Sequence, residues 1–260
     1  VRNEPNLKLP RTLNRGFSLA RGEYLTWTSD DNMFAEQALQ KMVSRLQAGD
    51  CDLVYADYWL FSEQDADGRP LAPQHDQLPD TVQLEKGNHI GACFLYTRRV
   101  YETVGDYNPE LFLVEDYDYF IRVARRFKVA HIAEPLYYFR RDDATLYLSR
   151  FAEVKASDVL VRYRNGLLDD NALVDAIVAI VMRKADGLKP AFLRWTHRCV
   201  NGRSWRLSQW QQNMTARFLR RRIGAEVGGL LRQHHARAAQ FHETRDALTE
   251  LMKCYGTIEY

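Results

Sequence analysis

Gly22-Glu23-Tyr24-Leu25-Thr26-Trp27-Thr28-Ser29-Asp30-Asp31-Asn32 decides how this chain is read. A run rich in aromatic and β-branched residues ends on two adjacent carboxylates. Beyond them Ala35, Leu39, Met42, Val43 and Leu46 recur at helical spacing. The pattern is strand, acidic turn, helix. Open α/β sheets bind ligands at the carboxyl ends of their strands, which is where Asp30 and Asp31 fall. Two hard oxygen donors there suit a divalent cation held together with substrate phosphates. The competing reading is that Asp30, Asp31 or Asn32 caps the following helix.

A second acidic cluster, Glu115-Asp116-Tyr117-Asp118, follows Phe112-Leu113-Val114 at the predicted start of another helix. An acid there is favoured by the helix dipole, which is the structural reading. The chemical reading is a general base that takes the proton of a bound hydroxyl. Paired with a metal-binding Asp on another loop, it gives a division of labour. One carboxylate site neutralises a phosphate leaving group and the other activates the nucleophile.

The spacing predicts a turn followed by a helix within 7–21, with Pro10 in its first turn and Leu13, Phe17 and Ala20 on one face. Strands are expected at 24–28 and 53–61, with helix over 35–47 between them. Residues 65–79 read as an exposed loop rich in Pro, Asp and Gln. A β-like run covers 90–97, where Gly91 and Ala92 permit close approach of a ligand or a neighbouring backbone. Helix is expected over 115–127, with Tyr117, Phe120, Ile121 and Ala124 as its inner stripe. Two short strands, 129–132 and 136–139, flank a turn at Glu134-Pro135. Past Asp143 helical patterns take over, at 151–164, 170–184, 208–222, 229–241 and 244–253, punctuated by Gly187, Pro190, Gly202 and Gly228-Gly229. The organisation is an α/β part followed by an all-helical part.

The 260 residues are 46% hydrophobic and 27% charged, enough for one large domain or two smaller ones. A net charge of +2 makes no case for nucleic acid as a partner. Cys51, Cys93, Cys199 and Cys254 form no CxxC, so neither structural zinc nor a disulfide framework is expected, and a reducing compartment fits. The longest apolar run, 176–182, falls short of the roughly 20 residues that cross a bilayer. No signal peptide is visible, and the chain opens on Val1.

The quoted residues also resemble a known family. Leu13-Asn14-x-Gly16, Ala20-x-Gly22-Glu23-Tyr24 and Ser29-Asp30-Asp31-Asn32 resemble the DxD region of family-2 inverting glycosyltransferases of the GT-A fold. Gly91-Ala92-Cys93-Phe94-Leu95-Tyr96-x-Arg98-x-Val100-Tyr101-x-x-Val104-Gly105 resembles that family's acceptor-side segment. Glu115-Asp116-Tyr117-Asp118-Tyr119-Phe120-x-Arg122 resembles its base-bearing helix start. The resemblance covers residues 1–146 and none of the helical part. It implies an α/β, GT-A-like mixed sheet flanked by helices over 1–147, followed by a helical extension over 148–260. Sugar would pass from a nucleotide-sugar donor to an acceptor hydroxyl with inversion, assisted by Mg²⁺ or Mn²⁺.

Carried over by position, Asp31 is the implied metal ligand and Asp30 contacts the donor ribose or diphosphate. Lys8, Arg140 and Arg141 stand on the donor side; guanidinium forks match phosphate oxygens. Pairing with Asp142 or Asp143 is the alternative for the arginines, and a solvated surface lysine is the alternative for Lys8. Gly91, Ala92 and Glu115 stand on the acceptor side, and Asp116 is the implied base. The chain departs from the family at Thr28, which replaces the first Asp of a full DxD. It departs again at Arg141-Asp142, where relatives carry a His. The family's leading strand, helix and strand, which recognise the nucleobase, do not precede Val1. The chain is therefore expected to be N-terminally truncated, to self-associate and to bind donor poorly by itself.

The implied setting is polysaccharide or cell-surface glycan assembly, with a saccharide or lipid-linked acceptor. The location would be cytoplasmic, with peripheral contact at the inner face of the membrane. Arg217, Arg220, Arg221, Arg222, Arg232 and Arg237, interleaved with Phe218, Leu219, Ile223, Leu230 and Leu231, form either a lipid-facing surface or a solvated helix face. His234-His235 has no second ligand cluster and reads as surface. The rival function is a catalytically inactive sugar-binding or scaffold module that retains the fold.

Overall fold

The structure, a computed structural model, describes residues 2–141, 149–185, 204–234 and 241–255. It divides into two units, Val1–Ser149 and Arg150–Tyr260. The first unit runs α1 (Lys8–Leu19), β1 (Tyr24–Leu25), β2 (Met33–Phe34), α2 (Ala38–Gln47), β3 (Leu53–Phe61), β4 (Gln74–Asp76), β5 (Phe94–Thr97), α3 (Arg98–Val104), α4 (Glu115–Ala124) and β6 (Val129–Arg140). The strands form one mixed sheet in the order β1-β5-β3-β6-β2, with β4 also on β3. β3 and β6 are parallel; the other pairings are antiparallel.

The period of two along β3 and β5 sorts the core into two layers. Leu53, Tyr55, Phe94 and Tyr96 face Leu13 and Phe17 of α1 and Tyr119, Phe120 and Val123 of α4. Val54, Ala56, Cys93 and Leu95 face Ala38, Met42 and Leu46 of α2. The sheet is thus covered on both faces, as its uninterrupted apolar strands require. The first layer is strongly aromatic: the Tyr107 and Tyr119 rings stack at 4.2 Å, and Phe94 meets Phe120 edge-on at 4.9 Å.

Several expectations change. The strand expected over 24–28 keeps only two paired residues: after Leu25 the chain leaves β5 and passes through Asp30 and Asp31 to the opposite edge of the sheet, where it pairs with β6 as β2, which the sequence reading missed. Helix α2 starts at Ala38 rather than Ala35, and Leu39 is exposed while Met42 and Leu46 are buried. The loop expected over 65–79 contains β4, paired with the outer half of β3. Glu134-Pro135 is not a turn between two strands. β6 runs through it as a bulge, Ile132 pairing with Ala56 and Pro135 with Asp57. In α4, Val123 and Tyr119 are buried and Ala124 is not.

The second unit contains α5 (Phe151–Arg164), α6 (Asp170–Ala185), α7 (Ser204–His234) and α8 (Phe241–Tyr255). Helix α6 packs on α7, and α8 on α5. Leu173, Ile177 and Val181 on α6, and Leu219, Ile223 and Val227 on α7, are buried at four-residue spacing. Gly228-Gly229, expected to break the chain, lies inside the 31-residue α7. No helix among the described residues is long and apolar enough to cross a membrane. Cys199, Arg237, His235, Asp142, Asp143, Gly187, Pro190 and Gly202 lie outside the described residues.

Candidate active site

The turn that carries Asp30 and Asp31 connects β1 to β2 and is exposed. It is fixed from both sides by β6. Thr28 Oγ1 and the Tyr137 hydroxyl lie 2.6 Å apart, and Asn32 Oδ1 accepts the Arg140 backbone N–H at 2.8 Å. Burial pushes the Tyr137 phenol up to about 12, so it stays a neutral anchor. The capping reading fails here: α2 begins after Gln37, which has no side-chain cap bond, and β2 lies between it and the acids. Among the described residues neither carboxylate has a basic partner, and no three His, Cys, Asp or Glu side chains form a complete metal cage. A divalent ion held by these two carboxylates would need further ligands, such as substrate phosphate oxygens, to complete its shell.

Asp116 is half-buried in the first turn of α4. Its Oδ2 accepts a hydrogen bond from Asn88 Nδ2 at 2.9 Å, and its Oδ1 accepts from Tyr117 N at 2.7 Å. Asn88 Oδ1 in turn accepts from Gly91 N at 3.3 Å. One side chain thus joins Asp116 to the Gly91-Ala92 segment. Asn88 escaped the sequence reading because nothing periodic marks it. Gly91 has φ +69°, and a Cβ there would lie 3.1 Å from Tyr58 Cε1, so both conformation and space call for glycine. Ala92, beside it, packs against the α2-side core.

Glu115 is turned inward. It is 4% exposed, and its Oε2 accepts from Leu113 N at 2.9 Å. Leu113 has φ +90°, so the Glu115 carboxyl steadies a strained link just ahead of α4. Burial first, and the Asp116 carboxylate second, push the Glu115 carboxyl up to about 8. Lys8 is exposed, with Nζ 6.0 Å above the Phe112 ring in the same link. Arg141 extends β6, its backbone N–H donating to Phe61 O, and its charge acts on the Tyr58 phenol. Asp116 and Trp27 meet through Tyr107: Trp27 Nε1 donates to its hydroxyl at 3.2 Å, and the Asp116 charge adds to the burial that raises its pKa.

Residues 1–105 match the family described as Glycosyl transferase family 2. Over that stretch the chain is similar to the glycosyltransferases of this family. Over 153 residues, 56% of this chain, the sequence is 26% identical to an uncharacterised glycosyltransferase of Rickettsia felis, covering 24% of that protein. Over 159 residues it is 23% identical to an uncharacterised glycosyltransferase of Methanocaldococcus jannaschii, covering 60% of this chain and 54% of that one. The chain therefore spans about a quarter to a half of these relatives. A structure of S. aureus TarS 1-349 in complex with UDP aligns with a TM-score of 0.44 at 15% identity, over 98% of this chain and 72% of that chain.

Several residues of the family-2 motifs hold the domain together. Asn14 pairs with both backbone groups of Tyr107, each at 2.8 Å. Arg98 donates to Gly22 O and Ala20 O, fastening the end of α1 to α3. Arg122 bonds Asp118 at 2.8 Å and also Val104 O and Asp106 O, fastening α4 to the end of α3.

A second missed feature of the N-terminal unit lies under β4. The Asp57 side chain is 1% exposed. Its Oδ1 accepts from Leu78 N at 2.9 Å and meets His131 Nε2 at 2.7 Å, and its Oδ2 meets His75 Nε2 at 2.9 Å. His131 Nδ1 reaches Asp80 at 2.9 Å, and its ring stacks on Tyr55 at 4.8 Å. This network anchors one end of the segment that leads to Asn88. Tyr117, whose hydroxyl donates to Leu84 O, holds its middle. A lone acid in the apolar run Leu53–Phe61 was the available signal.

Proposed function

We propose that the protein transfers a sugar from a nucleotide-sugar to an acceptor hydroxyl with inversion. Asp116 takes the hydroxyl proton as the acceptor oxygen attacks the anomeric carbon. The bond from that carbon to the diphosphate breaks on the opposite face, and the nucleoside diphosphate leaves. Asn88 orients the carboxylate, and Gly91 and Ala92 leave room for the acceptor. Asp31, with Asp30 beside it, would hold Mg²⁺ or Mn²⁺, which when bound offsets the charge on the diphosphate. Lys8, Arg140 and Arg141 supply further positive charge on the donor side.

The observation that carries this reading is the pairing of a family-2 domain with an oriented, half-buried Asp116 at the start of α4. The test is release of nucleoside diphosphate from a panel of nucleotide-sugars with Mn²⁺, water or added saccharide serving as acceptor. Asp116→Asn keeps the helix start and should slow release by about 10²–10⁴-fold. Near-full turnover by that variant would refute the assignment; a wild-type chain that binds donor without turnover would favour a non-catalytic module.

A further inference from the structure

The helical unit contains a groove of about 490 Å³ between α6 and α7, within the range of small-molecule sites. One wall is a single face of α7: Arg217, Arg221, Gly224, Gly228 and Leu231 recur at steps of three and four. The two glycines put no side chain into the space, and a Cβ on Gly224 would stand 3.7 Å from Val174 Cγ1. A Cβ on Gly228 would lie 3.4 Å from Arg232 Nη1, so that guanidinium stands beside the trough at Gly228.

The charges along this trough are unequal. Arg220 is matched, its guanidinium 2.5 Å from Asp175. Arg217 and Arg221 also line the groove but have no carboxylate partner among the described residues. At the other end stand Asp170 and Asn171. Asp170 Oδ1 accepts from the Tyr163 hydroxyl at 2.7 Å, and its other oxygen has no partner among the described residues. A bare anion would be drawn to the arginines and repelled by Asp170. A ligand with an anionic group at one end and hydroxyls at the other satisfies both ends. Guanidinium forks match phosphate oxygens; a carboxylate and an amide accept from hydroxyls.

We propose that this groove binds a phosphorylated saccharide, with its phosphate on Arg217 and Arg221 and its hydroxyls on Asp170 and Asn171. The site belongs to the helical unit and does not depend on the role given to Asp116.

The test is an amide NMR titration of the ¹⁵N-labelled full chain, with the N–H groups of Gly224 and Gly228 as reporters. Glucose 1-phosphate should shift both saturably, inorganic phosphate should do so more weakly, and glucose should not. Arg217→Ala or Arg221→Ala should weaken binding by roughly tenfold or more, as loss of a charge-assisted bond implies. Arg222→Ala removes the same charge from the same helix outside the groove, so it should change affinity less than about twofold. An equal loss in Arg222→Ala would mean a general charge effect and overturn the site. No shift at tens of millimolar ligand, or equal shifts with glucose, would also overturn it. Reporter shifts with phosphatidylglycerol vesicles but none with glucose 1-phosphate would assign the surface to lipid headgroups instead.

Discussion

Asp57→Ala tests whether the buried network under β4 is structural support for the candidate active site. The substitution removes acceptors from Leu78 N, His131 Nε2 and His75 Nε2. His75 is 39% exposed and can turn to water, whereas His131 is 4% exposed and cannot. The buried His131 donor is therefore stranded at about 1–3 kcal/mol, and the partly buried Leu78 N–H adds a smaller cost. Relief from burying the Asp57 carboxylate offsets part of this, and breaking a buried pair costs about 3–5 kcal/mol in measured cases. A loss of about 3–5 kcal/mol is expected, a large share of the roughly 5–15 kcal/mol that holds a domain folded. Two units need not unfold together, so the readout is hydrogen exchange by peptide across a urea series. Peptides covering 53–61 and 74–90 should lose protection, while those from α5 and α8 hold theirs. A change below about 1 kcal/mol in the first group would show that the network does not anchor this segment.

The other expected outcomes follow from single contacts. Gly91→Ala forces a left-handed conformation and a 3.1 Å approach to Tyr58, so a loss of about 1–3 kcal/mol is expected in a thermal melt. Asn88→Ala removes a donor to the ionised form of Asp116, so the Asp116 titration, followed by ¹³C NMR, should move up; an unchanged midpoint would disconnect the two. Asp31→Ala should abolish Mn²⁺ binding measured by calorimetry with a nucleotide diphosphate present, and unchanged binding would remove Asp31 from the metal site. Glu115, whose carboxyl is pushed up to about 8, binds its proton more tightly folded than unfolded. Its contribution is full below the ordinary Glu range, near pH 4.5, and is lost as pH rises through about 8. Glu115→Gln should flatten that part of the stability–pH curve.

The parts of the fold legible in the sequence are those where a local pattern and the final packing agree. Leu53–Phe61 is continuously apolar because it lies at the middle of the sheet with helices on both faces, so its composition reports its burial directly. Leu13, Phe17, Met42 and Leu46 fall at helical spacing because one stripe of each helix meets the core. The missed elements are those whose partners are remote. Gln74-His75-Asp76 is polar and reads as loop, and becomes strand only because it pairs with the far half of β3. Gly228-Gly229 weakens a helix by about 1 kcal/mol per glycine against alanine, but packing of Leu219, Ile223 and Val227 outweighs it.

The same division separates the two kinds of site residue. Asp30, Asp31 and Asp116 announce themselves as acids at the ends of regular elements, where exposed backbone groups and open space make a carboxylate useful. Asn88 and Asp57 do not, because their meaning lies in bonds to residues 18 to 74 positions away. Those bonds link the candidate base to the sheet. Asn88 ties Asp116 to Gly91, Gly91 rests on Tyr58, and the residue before Tyr58 is Asp57, held between two histidines at the β6 bulge. A strand bulge is a natural place to re-aim side chains. Here it shifts the pairing where β3 carries both Asp57 and Tyr58. The position of Asp116 therefore depends on the sheet register as well as on the start of its own helix.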